Sequence, residues 1–337
     1  MTAAAGSGRR RQIEVHGRWP HPVPSLAMAA APATSYVVTV IRPVVGVELM
    51  SSVVHLLSTV AFRVTGLRTL ATAPCTALEV SVELDAPVDE SAAALTVAAR
   101  KLAALCRADI AVRPAGARHR LVAFDVDATL VRDEAIDILA GYAGRAAEVR
   151  AVTTLAMSGE LDFAESLRQR VRALAGLPAK VLARTAAELD LSPGAQVAVR
   201  TLRARNIRVG AISGGFRQIV DLLADRVGLD FCAANELEVV DGRLTGRLRG
   251  PVLDRPGKAD ALRRFAAAAR IPLAECVAVG DGANDIDMLR AAGLGIAYNA
   301  AGVVRAAADA SISQPRLDLV LPLLGISVPA TVLDAAA

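Results

Sequence analysis

RLVAFDVDATLVRDEAID, residues 120–137, decides how the rest of the chain is read. Leu121, Val122, Ala123 and Phe124 form an apolar run that stops at Asp125, and a second acid, Asp127, follows two residues on. A short continuous apolar run is how a strand buried on both faces reads, and such strands belong to parallel sheets. Residues two apart in a strand face the same way, so Asp125 and Asp127 can share one site at the strand's carboxyl end. Open parallel sheets bind ligands there. Two adjacent carboxylates ionise together only if a cation or donors compensate them, and Mg²⁺ is the natural cation for oxygen ligands. Taken alone, the same acids serve equally well as a cap for the next helix.

Three later stretches bear on that choice. Strand-like runs at 121–126, 208–213, 276–281 and 294–297 alternate with helical runs, which predicts an α/β fold with a doubly wound parallel sheet. VGAISGGF, 209–216, ends its strand at Ser213 and continues into Gly214, Gly215 and a helix; a hydroxyl and free N–H groups there suit a phosphate. Lys258 in DRPGKADAL opens a helix, where the helix dipole disfavours a cation, and its compact charge suits one phosphoryl oxygen. VAVGDGANDIDML, 277–289, ends a strand at Asp281, with Asn284 and Asp285 one turn on and Asp287 facing elsewhere. Helix caps, ordinary turns and a solvated lysine explain each stretch singly. As one ordered set at successive strand ends, they point to a metal and phosphate site.

The chain divides into four parts. Residues 1–35 read as a low-complexity tail, with Met28 and Met50 as alternative starts, and 326–337 as a flexible C-terminal tail. Residues 36–115 read β-α-β-β-α-β, the split βαβ pattern of ferredoxin-like α+β modules, closed by Pro114-Ala115-Gly116. Residues 116–325 carry the parallel-sheet pattern, with an all-helical insert at about 133–190 that is too long for a simple crossover and reads as a cap. Asp241-Gly242 marks a hairpin turn within NELEVVDGRLTGRLRG.

Bulk composition excludes several classes. Hydrophobic residues make up 53% of the 337-residue chain, enough for a sizeable core. The most apolar stretch, 36–63, is broken by Arg42, Pro43, Glu48 and His55, so no membrane span is expected. The N-terminal arginines are not followed by an apolar run of the export type. Cys75, Cys106, Cys232 and Cys276 are scattered without CxxC spacing, as buried small residues of a cytoplasmic protein are. The net charge of +4 is spread along the chain and aromatics are 3%, so no nucleic-acid surface is expected.

DxDxT, then SGG, then one lysine, then GDGxND resembles the motif set of the haloacid dehalogenase superfamily, and the resemblance covers about 120–325. FDVDATLVRDEAID, GELDFAESLRQRV, ISGGF, ANELEVVDGRLTG and VAVGDGANDIDML look like the phosphoserine phosphatases within it, and 36–115 looks like the ACT module that precedes some bacterial members. The resemblance implies a Mg²⁺-dependent hydrolysis of O-phospho-L-serine through an aspartyl-phosphate on Asp125. Asp127 would be the general acid and base. Asp125, the backbone carbonyl of Asp127 and Asp281 would hold Mg²⁺. Ser213, Gly214 and Lys258 would bind phosphate. Asn284, counted with the substrate contacts, and Asp285 would orient this shell, with Thr129 behind it. Glu134 matches the ligand for the substrate ammonium, Arg170 that for its carboxylate, and Met157 and Phe163 the apolar wall. As residues alone, Glu134 and Arg170 read equally as exposed helix charges.

Two positions depart from the family habit. Ala128 replaces the serine of DxDST, and RPVVGVEL is a poor version of the ACT ligand loop, which leaves the module a role in homodimerisation. Two other functions stay open at this point: a phosphatase or phosphotransferase for another small phosphate ester, and a non-catalytic amino-acid sensor. The intact set Asp125, Asp127, Ser213, Lys258 and Asp281 argues against the sensor.

Overall fold

The computed structural model describes residues 35–59, 62–84, 88–157 and 160–328, so most of both segments read as tails lies outside the described residues. Residues 35–114 run β1 (Ser35–Arg42), α1 (Val47–Thr59), β2 (Phe62–Ala71), β3 (Thr76–Leu84), α2 (Val88–Cys106) and β4 (Asp109–Pro114). The strands pair antiparallel in the order β2-β3-β1-β4, a ferredoxin-like arrangement. Strand alternation gives this sheet two different faces. Tyr36, Val38, Val40, Val80 and Val82 pack beneath Leu49, Val53 and Leu57 of α1 and Leu95 and Ala99 of α2. The other face buries Thr39, Glu79 and Arg113. There Glu79 pairs with both Arg68 and Arg113, and Arg68 donates to the carbonyl of Gly325 at 3.3 Å.

The rest of the chain builds a second sheet. β5 (Leu121–Phe124) is followed by α3 (Ala135–Tyr142), α4 (Ala146–Met157), α5 (Phe163–Arg172), α6 (Lys180–Glu188) and α7 (Ala195–Ala204). Then come β6 (Arg208–Phe216), α8 (Arg217–Val227), β7 (Phe231–Val240), β8 (Arg243–Arg249) and α9 (Arg255–Ala269). β9 (Cys276–Gly280), α10 (Ile286–Ala291), β10 (Leu294–Tyr298), α11 (Gly302–Ala307), β11 (Ala310–Ile312) and α12 (Val320–Leu323) complete it. The sheet order is β11-β10-β9-β5-β6-β7-β8, parallel except for the β7–β8 hairpin. Every residue of β5, β9 and β10 is buried, as continuous apolar strands covered on both faces must be.

Two details differ from the sequence reading. β6 does not stop at Ser213 but runs to Phe216, its ladder with β7 breaking between Ile212 and Phe216. Ser213 is therefore a strand residue, and α8 starts only at Arg217. Packing also reaches past residue 325: Ile326 and Val328 are buried, and Val328 N donates to Leu70 O at 2.9 Å.

The helices α3 to α6 stand over the sheet on two main-chain attachments, and Arg226 of α8 adds side-chain bonds to Ala186 O at 3.1 Å and Leu189 O at 2.7 Å. The first is a narrow ribbon: Val131 and Leu191 form an antiparallel bridge, flanked by Arg132 N to Asp190 O and Ser192 N to Leu130 O, both at 3.0 Å. The second is a seam where the α5–α6 connector runs along β8. Gly176 N bonds Leu244 O at 2.8 Å, Leu244 N bonds Leu177 O at 2.9 Å, and Ala179 N bonds Gly242 O at 2.8 Å. Asp241 and Gly242 both have positive φ, 49° and 72°, which is the turn that matches strand twist in a two-residue hairpin. Among the described residues no helix is long and apolar enough to cross a membrane, and all four cysteines are free.

Candidate active site

The strand ends bring the acids together. Asp125 N continues the β5–β9 ladder by bonding Val279 O at 2.8 Å, after which the chain turns through a single wide turn closed by Val131 N to Val126 O at 2.9 Å. Ala128 sits inside this turn at φ 55°, in the left-handed region that a β-carbon disfavours. The turn sends the two carboxylates to different partners. Asp127 accepts from Ala135 N at 2.9 Å and from Ser213 Oγ at 3.3 Å. Ser213 Oγ in turn accepts from Gly215 N at 2.8 Å. A β-carbon on Gly215 would lie 2.7 Å from Asp127 Oδ2, so only glycine lets this strand approach.

Asp125 instead faces Lys258, whose Nζ is 2.8 Å from Asp125 Oδ1 and 2.7 Å from Asp285 Oδ1. Lys258 is placed by the start of α9, where Asp254 caps Gly257 N at 2.9 Å and Pro256 occupies the first turn. Asp285 also accepts from Gly282 N at 3.0 Å, and Asp281 accepts from Thr129 Oγ1 at 2.8 Å. Asp287 points elsewhere and pairs with Arg255 at 2.6 Å.

Charge is unbalanced here. Carboxylate oxygens of Asp125, Asp281 and Asp285 lie within 4.8 Å of one another, and among the described residues the cation paired with them is Lys258. Burial and the neighbouring Asp285 push the Asp125 carboxyl well above its ordinary value, and the same two causes raise Asp281 to about 6. Burial alone would lower Lys258, but Asp125 and Asp285 outweigh it and hold the ammonium charged. A cluster of hard oxygen donors with excess negative charge fits a divalent cation, so these acids can hold a metal ion. Burial also raises Asp127, against the Ala135 N–H bond that lowers it.

One cap side chain reaches the strand ends. Phe163, first in α5, presses on Gly214: a β-carbon there would lie 2.9 Å from Phe163 Cζ and 3.6 Å from Asn284 Nδ2. Glu134 reaches solvent at the cleft, yet its carboxyl is raised to about 8 by desolvation and by Asp127 and Asp281. Desolvation lowers the half-buried Arg170 guanidinium against the opposing charges of Glu134, Asp137 and Asp127, and its Nε donates to Ser166 O at 3.4 Å. The side chain of Met157 lies outside the described residues. Asn235 of β7, absent from the sequence-based site, is 3% exposed and bonds Gly214 O at 2.8 Å and Leu253 N at 2.6 Å. Its signal was an amide inside a strand, where asparagine is depleted.

Residues 122–290 match the family model of haloacid dehalogenase-like hydrolases. Phosphoserine phosphatase SerB2 of Mycobacterium tuberculosis is 48% identical over 305 residues, 90% of this chain and 74% of that one. A phosphoserine phosphatase of Streptomyces coelicolor is 52% identical over 261 residues, 77% of this chain; the chain spans 62% of that relative's length. A solved structure described as a phospho-aspartyl intermediate analogue of phosphoserine phosphatase superposes with a TM-score of 0.58 at 40% identity, covering 61% of this chain and 98% of the other.

Proposed function

The chain belongs to the haloacid dehalogenase-like hydrolases, and from that we infer that it is a phosphatase that hydrolyses O-phospho-L-serine to L-serine and phosphate. The observation that carries this reading is the division of labour between the two acids of one turn. Asp125 lies against Lys258, whereas Asp127 is held apart by Ala135 N and Ser213. In the first step an Asp125 carboxylate oxygen attacks phosphorus, and the P–O bond to serine breaks with its electron pair on the serine oxygen. Asp127, whose raised pKa favours the protonated form, gives that oxygen its proton. In the second step Asp127 takes a proton from water as the water oxygen attacks phosphorus, which frees Asp125 and phosphate.

Lys258 and the Ser213–Gly214 strand end bind the phosphoryl oxygens and balance charge in transfer. Asp125, Asp281 and the backbone carbonyl of Asp127 would hold Mg²⁺, which when bound supplies positive charge to those oxygens. Thr129 and Asp285 steady Asp281 and Lys258 through the bonds described above. Arg170 takes the substrate carboxylate and Glu134 its ammonium, with Phe163 and Met157 as the apolar wall and Asn284 beside them. Ionised Glu134 is the form that binds an ammonium, and a bound cation next to Asp127 and Asp281 favours it.

Release of phosphate from O-phospho-L-serine, against a panel of phosphorylated metabolites, tests the reading. Turnover that needs Mg²⁺ and is greatest for phosphoserine is expected. Preference for another ester, or no turnover by folded, metal-loaded protein, would sink it.

We also propose that residues 36–115 act as an ACT-like module through which two copies associate. Its βαββαβ order supports the first part, and Val44, Val47, Leu67 and Leu105 exposed on its surface support the second. A monomer mass in light scattering of the full chain would exclude association.

A further inference from the structure

We propose that Asn235 is the positioning residue that sets the spacing between the two halves of the phosphate site, an inference that rests on the phosphatase reading above. The β6–β7 ladder breaks between Ile212 and Phe216, so the Ser213–Gly215 segment has no regular strand partner there. The Asn235 side chain fills that gap by donating to Gly214 O at 2.8 Å. Its other end accepts from Leu253 N at 2.6 Å. Leu253 precedes Asp254, the cap that starts α9 and whose carbonyl accepts from Lys258 N at 2.8 Å. One buried amide thus ties the Gly214 strand end to the helix that carries Lys258. Asn235 touches neither phosphate nor metal; it acts through Gly214 and Lys258. An amide suits this place because it offers one donor and one acceptor at fixed separation.

The test compares Asn235→Leu, which keeps the branched shape and removes both bonds, with Asn235→Asp, which keeps the acceptor for Leu253 N and loses the donor to Gly214 O. Inorganic phosphate binding is measured by calorimetry in Mg²⁺ buffer, and L-serine is measured as a product inhibitor that probes the cap side. Thermal melting reports folding. Phosphate affinity is expected to fall about ten-fold in both variants, about 1.4 kcal/mol, with kcat falling in parallel and L-serine inhibition within about two-fold of wild type. Unchanged phosphate affinity in a folded variant, joint weakening of phosphate and L-serine, or no phosphate binding by wild type overturns the proposal. Wild type whose phosphate affinity depends on Asn235 as expected, yet which ignores phosphoserine, would overturn the substrate reading alone.

Discussion

Lys258 Nζ lies 2.8 Å from Asp125 Oδ1, and the lysine has no exposed surface. A fully buried ammonium is tolerated only because Asp125 and Asp285 neutralise it, and removing one partner of a buried pair costs far more than the pair contributes. Lys258→Met keeps the side-chain length and strands two acids. It is expected to lower unfolding free energy by about 3 kcal/mol and to abolish measurable turnover. Urea denaturation checks the first; an unchanged midpoint would show that the acids carry protons and need no cation.

Asp125→Asn should separate function from stability. Loss of the nucleophile is expected to reduce kcat by at least about a thousand-fold. The same change takes one carboxylate partner from Lys258 but leaves Asp285 in place and relieves the repulsion among Asp125, Asp281 and Asp285, so the stability of the metal-free protein should stay within about 1 kcal/mol of wild type. Unfolding in chelator, compared with wild type, checks this; a loss as large as that of Lys258→Met would refute it.

Asp109 predicts a pH dependence away from the catalytic acids. Its Oδ2 accepts from Ser313 N at 2.8 Å and Ser313 Oγ at 3.1 Å, joining β4 to the segment after β11. Burial nevertheless pushes its carboxyl from 3.8 to about 6. The folded state therefore holds more protons than the unfolded chain between those values, and stability falls as pH rises through that window. The penalty is absent below the lower value and complete above about 6. Asp109→Asn, which keeps an oxygen for Ser313 N–H, should add about 1–2 kcal/mol at pH 7 and nothing at pH values below the window. A gain that does not depend on pH would refute the assignment.

Ala128 occupies a backbone conformation at φ 55° that costs an L-residue roughly 1 kcal/mol. Ala128→Val, branched at the β-carbon, is expected to lower stability by about 2 kcal/mol more, whereas Ala128→Gly should match or slightly exceed wild type. Melting temperatures of the two variants give the order.

Much of the site was legible because its residues end apolar strands. Asp125 and Asp281 each follow a run buried on both faces, and such runs are visible as unbroken hydrophobic stretches in the chain. The sequence ends the strand at Ser213 because SGG reads as loop chemistry; only the pairing of Phe216 with Asn235 of β7 shows that the strand continues past it. Asn235 escaped for the same reason, since its task depends on a ladder break in another strand. The buried Glu79–Arg113 pair, with the exposed Arg68 at its edge, was also invisible, because alternation marks those residues as a solvent face until the turn at Gly325 covers the pair.

The seam between the α5–α6 connector and β8 sets what can move. Gly246, at φ 79°, lets that hairpin approach so closely that a β-carbon would sit 2.9 Å from Ala175 Cβ and 3.2 Å from Arg172 O. Three main-chain bonds hold the hairpin to the cap, so a cap that lifts to admit substrate either breaks them or carries the tip of the hairpin with it. By either route it works against the bonds from Arg226 of α8 to Ala186 O and Leu189 O. If the seam bonds persist, the opening unit is larger than the inserted helices and includes a hairpin far along the chain. Amide exchange would display it as a shared protection factor for residues 176–179 and 242–244, a single kinetic body assembled from two separate stretches of sequence.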